Sequence, residues 1–373
     1  MDLPADLLTP VLRDPTAIRS LRDADWDLLV RQGRESGLLG RVHHRLAEAG
    51  LLDSVPEAPR RHLEAEWSLA EKQWRDVRWE VECLRRNLAV TGVPIFLLKG
   101  AAYVLTGLPS GRGRLFGDVD LMVPRTALPE VEKELTLAGW RFDPDLDPYD
   151  DHYYRTWTHQ IPPLTHFLRH TCVDVHHTIV PETARVDVNA KKLRDAARAV
   201  DGSEDLYVLA PADMVLHSAV HLFNEGQFER GLRDLTDLDL LMSRFAAEDA
   251  EFWSRLVARA SELDLQRPLF YCLRYCRLIL GTEVPEQARR DIARAVPVGG
   301  GHRWLMDLLF TRALRPHHHS CRTAASGAAL WLLYVRSHYL RMPLRLLLPH
   351  LWRKAFRGIK KGDATADVEG YTT

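Results

Sequence analysis

The sequence predicts an α+β protein: a small mixed-sheet module set between N-terminal and C-terminal helical regions. Three observations predict it. Apolar residues recur at helical spacing up to about residue 90 and again from about residue 185. Between them the pattern changes to short apolar runs punctuated by glycine and proline. The one chemistry-rich segment, Gly117-Asp118-Val119-Asp120-Leu121-Met122-Val123, falls in that middle stretch. The expected division is a helical region over 1–90, an α/β module over 91–182, a helical region over 183–359 and a polar, disordered tail over 360–373. No internal repeat is present.

In the N-terminal region, Trp26, Leu28 and Leu29, then Leu38, Leu39, Val42 and Leu46, keep helical spacing. Pro56 and Pro59 separate them from a long, charged, periodic stretch, Arg61 to Val90, with Trp67, Leu69, Trp74, Val77, Trp79 and Leu84 as its apolar positions. Pro94 to Lys99 reads as a buried strand ended by Gly100. A short helix follows over Ala101 to Leu105, and then a glycine- and arginine-rich loop from Gly107 to Gly117. The Asp118/Asp120 strand ends at Pro124. Thr126 is the expected N-cap of a helix through Ala138 that stops at Gly139, and Trp140 to Phe142 opens another strand.

After an acidic, turn-rich stretch (143–151), three alternating segments read as an antiparallel meander: His152 to Thr158, Leu164 to Arg169 and Cys172 to Ile179. Helices are then expected over Ala212 to Phe223, Gly231 to Arg244, Glu251 to Leu263, Pro268 to Leu280, Pro285 to Ala295 and Trp304 to Ala313. Ala328 to Leu348 is the longest apolar stretch. Arg336, His338, Arg341, Pro343 and Arg345 interrupt it, so it reads as a buried or amphipathic helix pair split at Pro343, with a peripheral membrane helix as the alternative.

The 373 residues include 50 Lys and Arg against 51 Asp and Glu, a balance that argues against a generic polyanion binder. The five cysteines lack the spacing of a zinc site and read as reduced thiols. With no secretory signal apparent, the expected compartment is the cytoplasm.

The chemistry starts from Asp118 and Asp120. In a strand, residues i and i+2 share a face, so these carboxylates project together while Val119 and Leu121 face a core. Like charges so placed repel unless a cation sits between them, and a divalent metal is the simplest reason to build the pair. Val173-Asp174-Val175-His176 has the same alternation. If the two strands pair, Asp118, Asp120 and Asp174 converge. Three carboxylates can hold two Mg2+ ions, with Mn2+ as the alternative.

Leu97-Leu98-Lys99-Gly100-Ala101-Ala102, followed by Gly111-Arg112-Gly113-Arg114-Leu115-Phe116-Gly117-Asp118-Val119-Asp120-Leu121-Met122-Val123, resembles the polymerase-β-type nucleotidyltransferase superfamily. Within it, the Leu-Lys-Gly opening and the Arg-x-x-x-Asp-x-Asp-Leu-x-Val block are similar to a poorly characterised bacterial branch of nucleotidyltransferase family proteins. Pro211-Ala212-Asp213 through His217 and His221, then Arg233 to Leu238, is similar to that branch's helical half. The resemblance covers roughly residues 90 to 245. It implies transfer of an NMP group from an NTP such as ATP to a hydroxyl of a small molecule, a protein or an RNA end. Near-neutral charge disfavours long RNA.

In that reading Asp118 and Asp120 bind the metal carrying the triphosphate. Asp174 completes a second metal site and activates the acceptor hydroxyl. Gly100 lets the backbone approach phosphate, and Arg112 and Arg114 reach the β- and γ-phosphates. One departure stands out: the superfamily carries Gly-Ser or Gly-Gly at the turn, and here Ala101 follows Gly100. The missing hydroxyl leaves its phosphate contact to Lys99 or the arginines. His176 shares the Asp174 face and contacts nucleotide or acceptor, and His221 and Asp237 line the cleft.

Two rival readings follow. Ala101 motivates a catalytically silent protein of the same fold that binds nucleotide or a partner. His217 and His221, at i and i+4 on one helix with Asp234 and Asp237 downstream, motivate a His/Asp metal phosphohydrolase. No Walker-type loop or Ser/His or Cys/His nucleophile arrangement is present, and His317-His318-His319 reads as a loop.

Overall fold

A computed structural model describes residues 6–347. Seven strands form one mixed sheet: β1 (Ile95–Leu97), β2 (Asp118–Met122), β3 (Trp140–Phe142), β4 (Leu164–His166), β5 (Cys172–His176), β6 (Arg198–Ala199) and β7 (Leu206–Val208). Their order is β3-β4-β5-β2-β1-β7-β6. The β2–β5 and β1–β7 pairs are parallel and the other four antiparallel. The sheet thus draws on residues up to 208, beyond the expected module edge at 182.

Helices surround this sheet. The Glu57–Leu88 helix buries Leu63, Ala70, Val77, Val81, Leu84 and Leu88, a stripe at helical spacing. Leu69 and Trp79, expected in that stripe, are exposed. Buried Glu80 ties the helix to the sheet, accepting from Arg169 at 2.7 Å and Thr171 Oγ1 at 3.1 Å. The C-terminal helices follow the expected spans closely, as in Pro211–Asn224, Gly231–Glu248, Phe252–Glu262 and Gly300–Ala313. The Ala324–Arg341 helix ends before Pro343, the expected split. No helix among the described residues is long and apolar enough to cross a membrane. The cysteines form no disulfide, and the expected tail over 360–373 lies outside the described residues.

Two strands, β6 and β7, lie where only helices are expected, and one expected strand is a helix. His152 to Thr158, read as a strand, belongs to the Pro148–Trp157 helix. The Asp147 carboxylate accepts from the backbone N–H groups of Tyr149 and Asp150 and Pro148 occupies the first turn, a strong helix start that outweighs the alternation. The meander is therefore β3-β4-β5. The helix expected from Thr126 begins at Leu128, after a 3-10 turn over Arg125–Ala127.

Candidate active site

β2 and β5 run side by side in register, with Asp120 opposite Asp174, Asp118 opposite Cys172 and Met122 opposite His176. Val119, Leu121, Val173 and Val175 are buried on the far face. The period of two therefore brings Asp120 and Asp174 together with His176. One ligand atom from each of these three lies within 4.8 Å of the others, the only such group of three His, Cys, Asp or Glu side chains among the described residues. Asp118 stands outside this group, exposed at the mouth of β2, and lines a cavity of about 780 Å³ together with Asp120.

Two groups brace Asp120. Its Oδ1 lies 3.0 Å from His176 Nε2 and 3.7 Å from Lys99 Nζ. Burial by itself would raise the Asp120 pKa, but the Lys99 charge and the His176 contact outweigh it and hold the carboxyl below its usual range. Asp174 behaves oppositely: burial first, then the Asp120 charge, pushes it up to about 6. Burial and Asp120 also raise Asp118. Asp174 Oδ1 is buried without a hydrogen-bond partner. A carboxylate pair with one buried orphan oxygen is the donor set that a divalent cation satisfies.

Lys99 reaches this position by way of a rare backbone conformation, φ 41°. A non-glycine residue there carries about 1–2 kcal/mol of strain. The strain turns the chain from β1 into the Lys99–Leu105 helix while the ammonium stays beside Asp120. Gly100 follows because a Cβ there would lie 2.8 Å from the Phe116 ring. Ala101 is fully buried and lies outside the cavity lining.

The glycine- and arginine-rich loop is fixed by the N-terminal helices. A Cβ on Gly113 (φ +63°) would meet the Gly40 carbonyl oxygen at 2.4 Å, so the two backbones touch. Arg41, fully buried, donates to Thr236 Oγ1 and Asp237 Oδ1, each at 2.6 Å, and to the Ser110 carbonyl. Asp237 also pairs with Arg114, which lines the cavity. Asp237 itself is buried beneath Arg114 rather than lining the cleft. Arg112 lies apart from the cavity, its guanidinium 4.2 Å from the Trp74 ring and 3.4 Å from Glu71.

The histidines divide. His221 lines the cavity, with Nε2 3.2 Å from Glu225 and Nδ1 3.9 Å from Asp234. His217 is buried, and burial holds its pKa well below the ordinary value. The two do not join a third ligand to make a metal-binding group among the described residues. His159, unremarked in the sequence, stacks on His176 with ring centroids 5.1 Å apart, its Nδ1 buried and unpartnered. Sequence reasoning also missed a second part of the cavity lining. Arg312, Arg315, His317 and Arg322 form it, with Trp331 and Tyr334 from the Ala324–Arg341 helix. Periodicity marks that helix but not what its faces meet.

A family model described as uncharacterised nucleotidyltransferase matches residues 22–281, well over half of the chain. The matched span holds the sheet, the carboxylates and the Arg41–Asp237–Arg114 contacts, and it ends before the arginine-rich wall. No curated protein matches the chain.

Proposed function

The chain belongs to the uncharacterised nucleotidyltransferase family, and on that premise we propose that it transfers an NMP group from an NTP to a hydroxyl of an acceptor, using a divalent cation. The observation that carries this reading is the register of β2 and β5, which sets Asp120 beside Asp174 and His176, with Asp118 at the mouth of the same cavity. The orphan oxygen of Asp174 and the carboxylate donors fit Mg2+ or Mn2+, held by Asp118, Asp120 and Asp174, with His176 hydrogen-bonded to Asp120. Such an ion, when bound, neutralises phosphate charge and acidifies an attacking hydroxyl.

The protein's own groups do the rest. Lys99 and Arg114 present cations to the triphosphate from the cavity lining, and Gly100 leaves the backbone open to it. His176 holds Asp120 in place. The acceptor oxygen bonds to the α-phosphorus, the bond from that phosphorus to the bridging oxygen of the β-phosphate breaks, and pyrophosphate leaves. The hydroxyl proton passes to the Asp174 carboxylate.

The test is the double variant Asp118→Ala/Asp120→Ala with labelled NTPs, Mg2+ and a panel of acceptors. Label transfer is expected to fall by at least ~100-fold, as when transition-state charge stabilisation is removed. Unchanged transfer and unchanged NTP binding would overturn the metal assignment. Calorimetry of the unaltered chain with Mg2+ and each NTP separates this reading from a silent fold that binds only a partner: no binding of any NTP defeats it, and NTP binding without label transfer to any acceptor favours a silent nucleotide binder.

A further inference from the structure

The cavity is more positive than its nucleotide chemistry requires. Its lining holds seven Lys and Arg against four Asp and Glu. Three of the cations already face a carboxylate: Lys99 faces Asp120, Arg114 faces Asp237, and Arg233 faces Asp234. The other four, Arg230, Arg312, Arg315 and Arg322, make no salt bridge within 4 Å among the described residues. A triphosphate carries roughly four negative charges, which two divalent cations balance. With the nucleotide and its metals in place, these four arginines still have no carboxylate within 4 Å among the described residues.

Three of these arginines come from one short stretch, Arg312 to Arg322, at the end of the Gly300–Ala313 helix and the loop after it. His317 stands among them, its ring within 3.1 Å of Arg322 Nη2. Beside them Leu330, Trp331 and Tyr334 add an apolar and aromatic wall, with Trp331 63% exposed. Arg312 also donates to the Leu308 carbonyl at 2.7 Å. Guanidiniums without a carboxylate partner suit a dianionic phosphate, and exposed aromatic faces suit a ring or hydrocarbon part. The wall lies outside the residues that the family model matches, as expected of a part that sets acceptor choice rather than the shared chemistry.

We infer that the acceptor is a phosphomonoester with an apolar or planar portion, its phosphate held by Arg312, Arg315 and Arg322 and its apolar portion against Trp331 and Tyr334. This rests on the nucleotidyltransferase reading, because the acceptor's hydroxyl must face the carboxylates across the same cavity.

The experiment is calorimetry on the full chain with Mg2+ and a prebound α,β-methylene NTP analogue, titrated with phenyl phosphate, benzoate and phenol. Phenyl phosphate is expected to bind about tenfold or more tightly than benzoate, and phenol weakest. In Arg315→Gln/Arg322→Gln, phenyl phosphate binding is expected to weaken about tenfold or more while the NTP analogue binds as before. Equal binding of phenol, indifference of phenyl phosphate to the double variant, or displacement of the NTP analogue by phenyl phosphate overturns the inference. So does loss of NTP-analogue binding in the double variant with its far-UV spectrum unchanged, since the arginines then serve the triphosphate. Failure of the unaltered chain to bind any NTP analogue instead counts against the nucleotidyltransferase reading.

Discussion

The two walls of the cavity are held by opposite means. The wall contributed by the glycine- and arginine-rich loop is locked: Gly113 touches Gly40 backbone to backbone, and Arg41, Asp237 and Arg114 form a buried chain of charges. The wall contributed by Arg312 to Tyr334 is open, with arginines that have no carboxylate partner within 4 Å among the described residues and an aromatic ring largely in solvent. The difference matches the roles proposed for each wall. A group that must meet phosphate at a fixed point beside two carboxylates needs a rigid support. A surface that meets a second substrate can spend its charges on that substrate alone.

The largest effect that tests this contrast is Asp237→Ala. It leaves two guanidiniums, Arg41 and Arg114, buried without their shared carboxylate, and is expected to cost about 3–5 kcal/mol of stability in denaturant unfolding. A loss below about 1 kcal/mol would mean that the locked wall is not locked by charge.

Asp174→Asn comes next and has the opposite sign. The folded pKa of Asp174 is raised from 3.8 to about 6, so its ionised form opposes folding. That opposition grows as pH rises through 3.8 and is complete above about 6. Without divalent metal, Asp174→Asn is therefore expected to stabilise the protein at pH 8 by about 1–3 kcal/mol, and to have no effect below the unfolded value. Thermal unfolding in chelator at several pH values checks this, and added Mg2+ should reverse the order of the two proteins. A variant that is less stable at pH 8 would remove the evidence that the site is strained toward a cation.

The smallest effect is Trp331→Ala on the open wall. With the ring 63% exposed, unfolding free energy is expected to change by less than about 0.5 kcal/mol. A large loss would place Trp331 in the packing of the fold and blur the contrast.

Much of the locked half was legible in the sequence. Alternation alone put Asp118 and Asp120 on one face and gave Asp174 and His176 the same pattern, and the strand pairing brought Asp120, Asp174 and His176 together. Helix periodicity located most C-terminal helices to within a few residues. What was not legible depended on long-range meeting. Asp237 read as a cleft residue because the resembling family has polar positions there, yet Arg41, 196 positions away, claims it. The helix over Pro148–Trp157 was hidden because its cap at Asp147 lay inside a stretch that read as turn. The arginine-rich wall was invisible because its residues belong to a loop and to helix faces whose destination no local pattern encodes.

The arginine-rich wall has a kinetic consequence. The chain as a whole has a formal charge of −1, so a cavity with a positive excess sits in a molecule whose remaining residues are net negative. Such an uneven field draws anions to the cavity mouth and repels them elsewhere, which raises the rate of productive encounter. At physiological ionic strength the field fades over about 8 Å, so added salt should slow substrate capture far more than it hastens release.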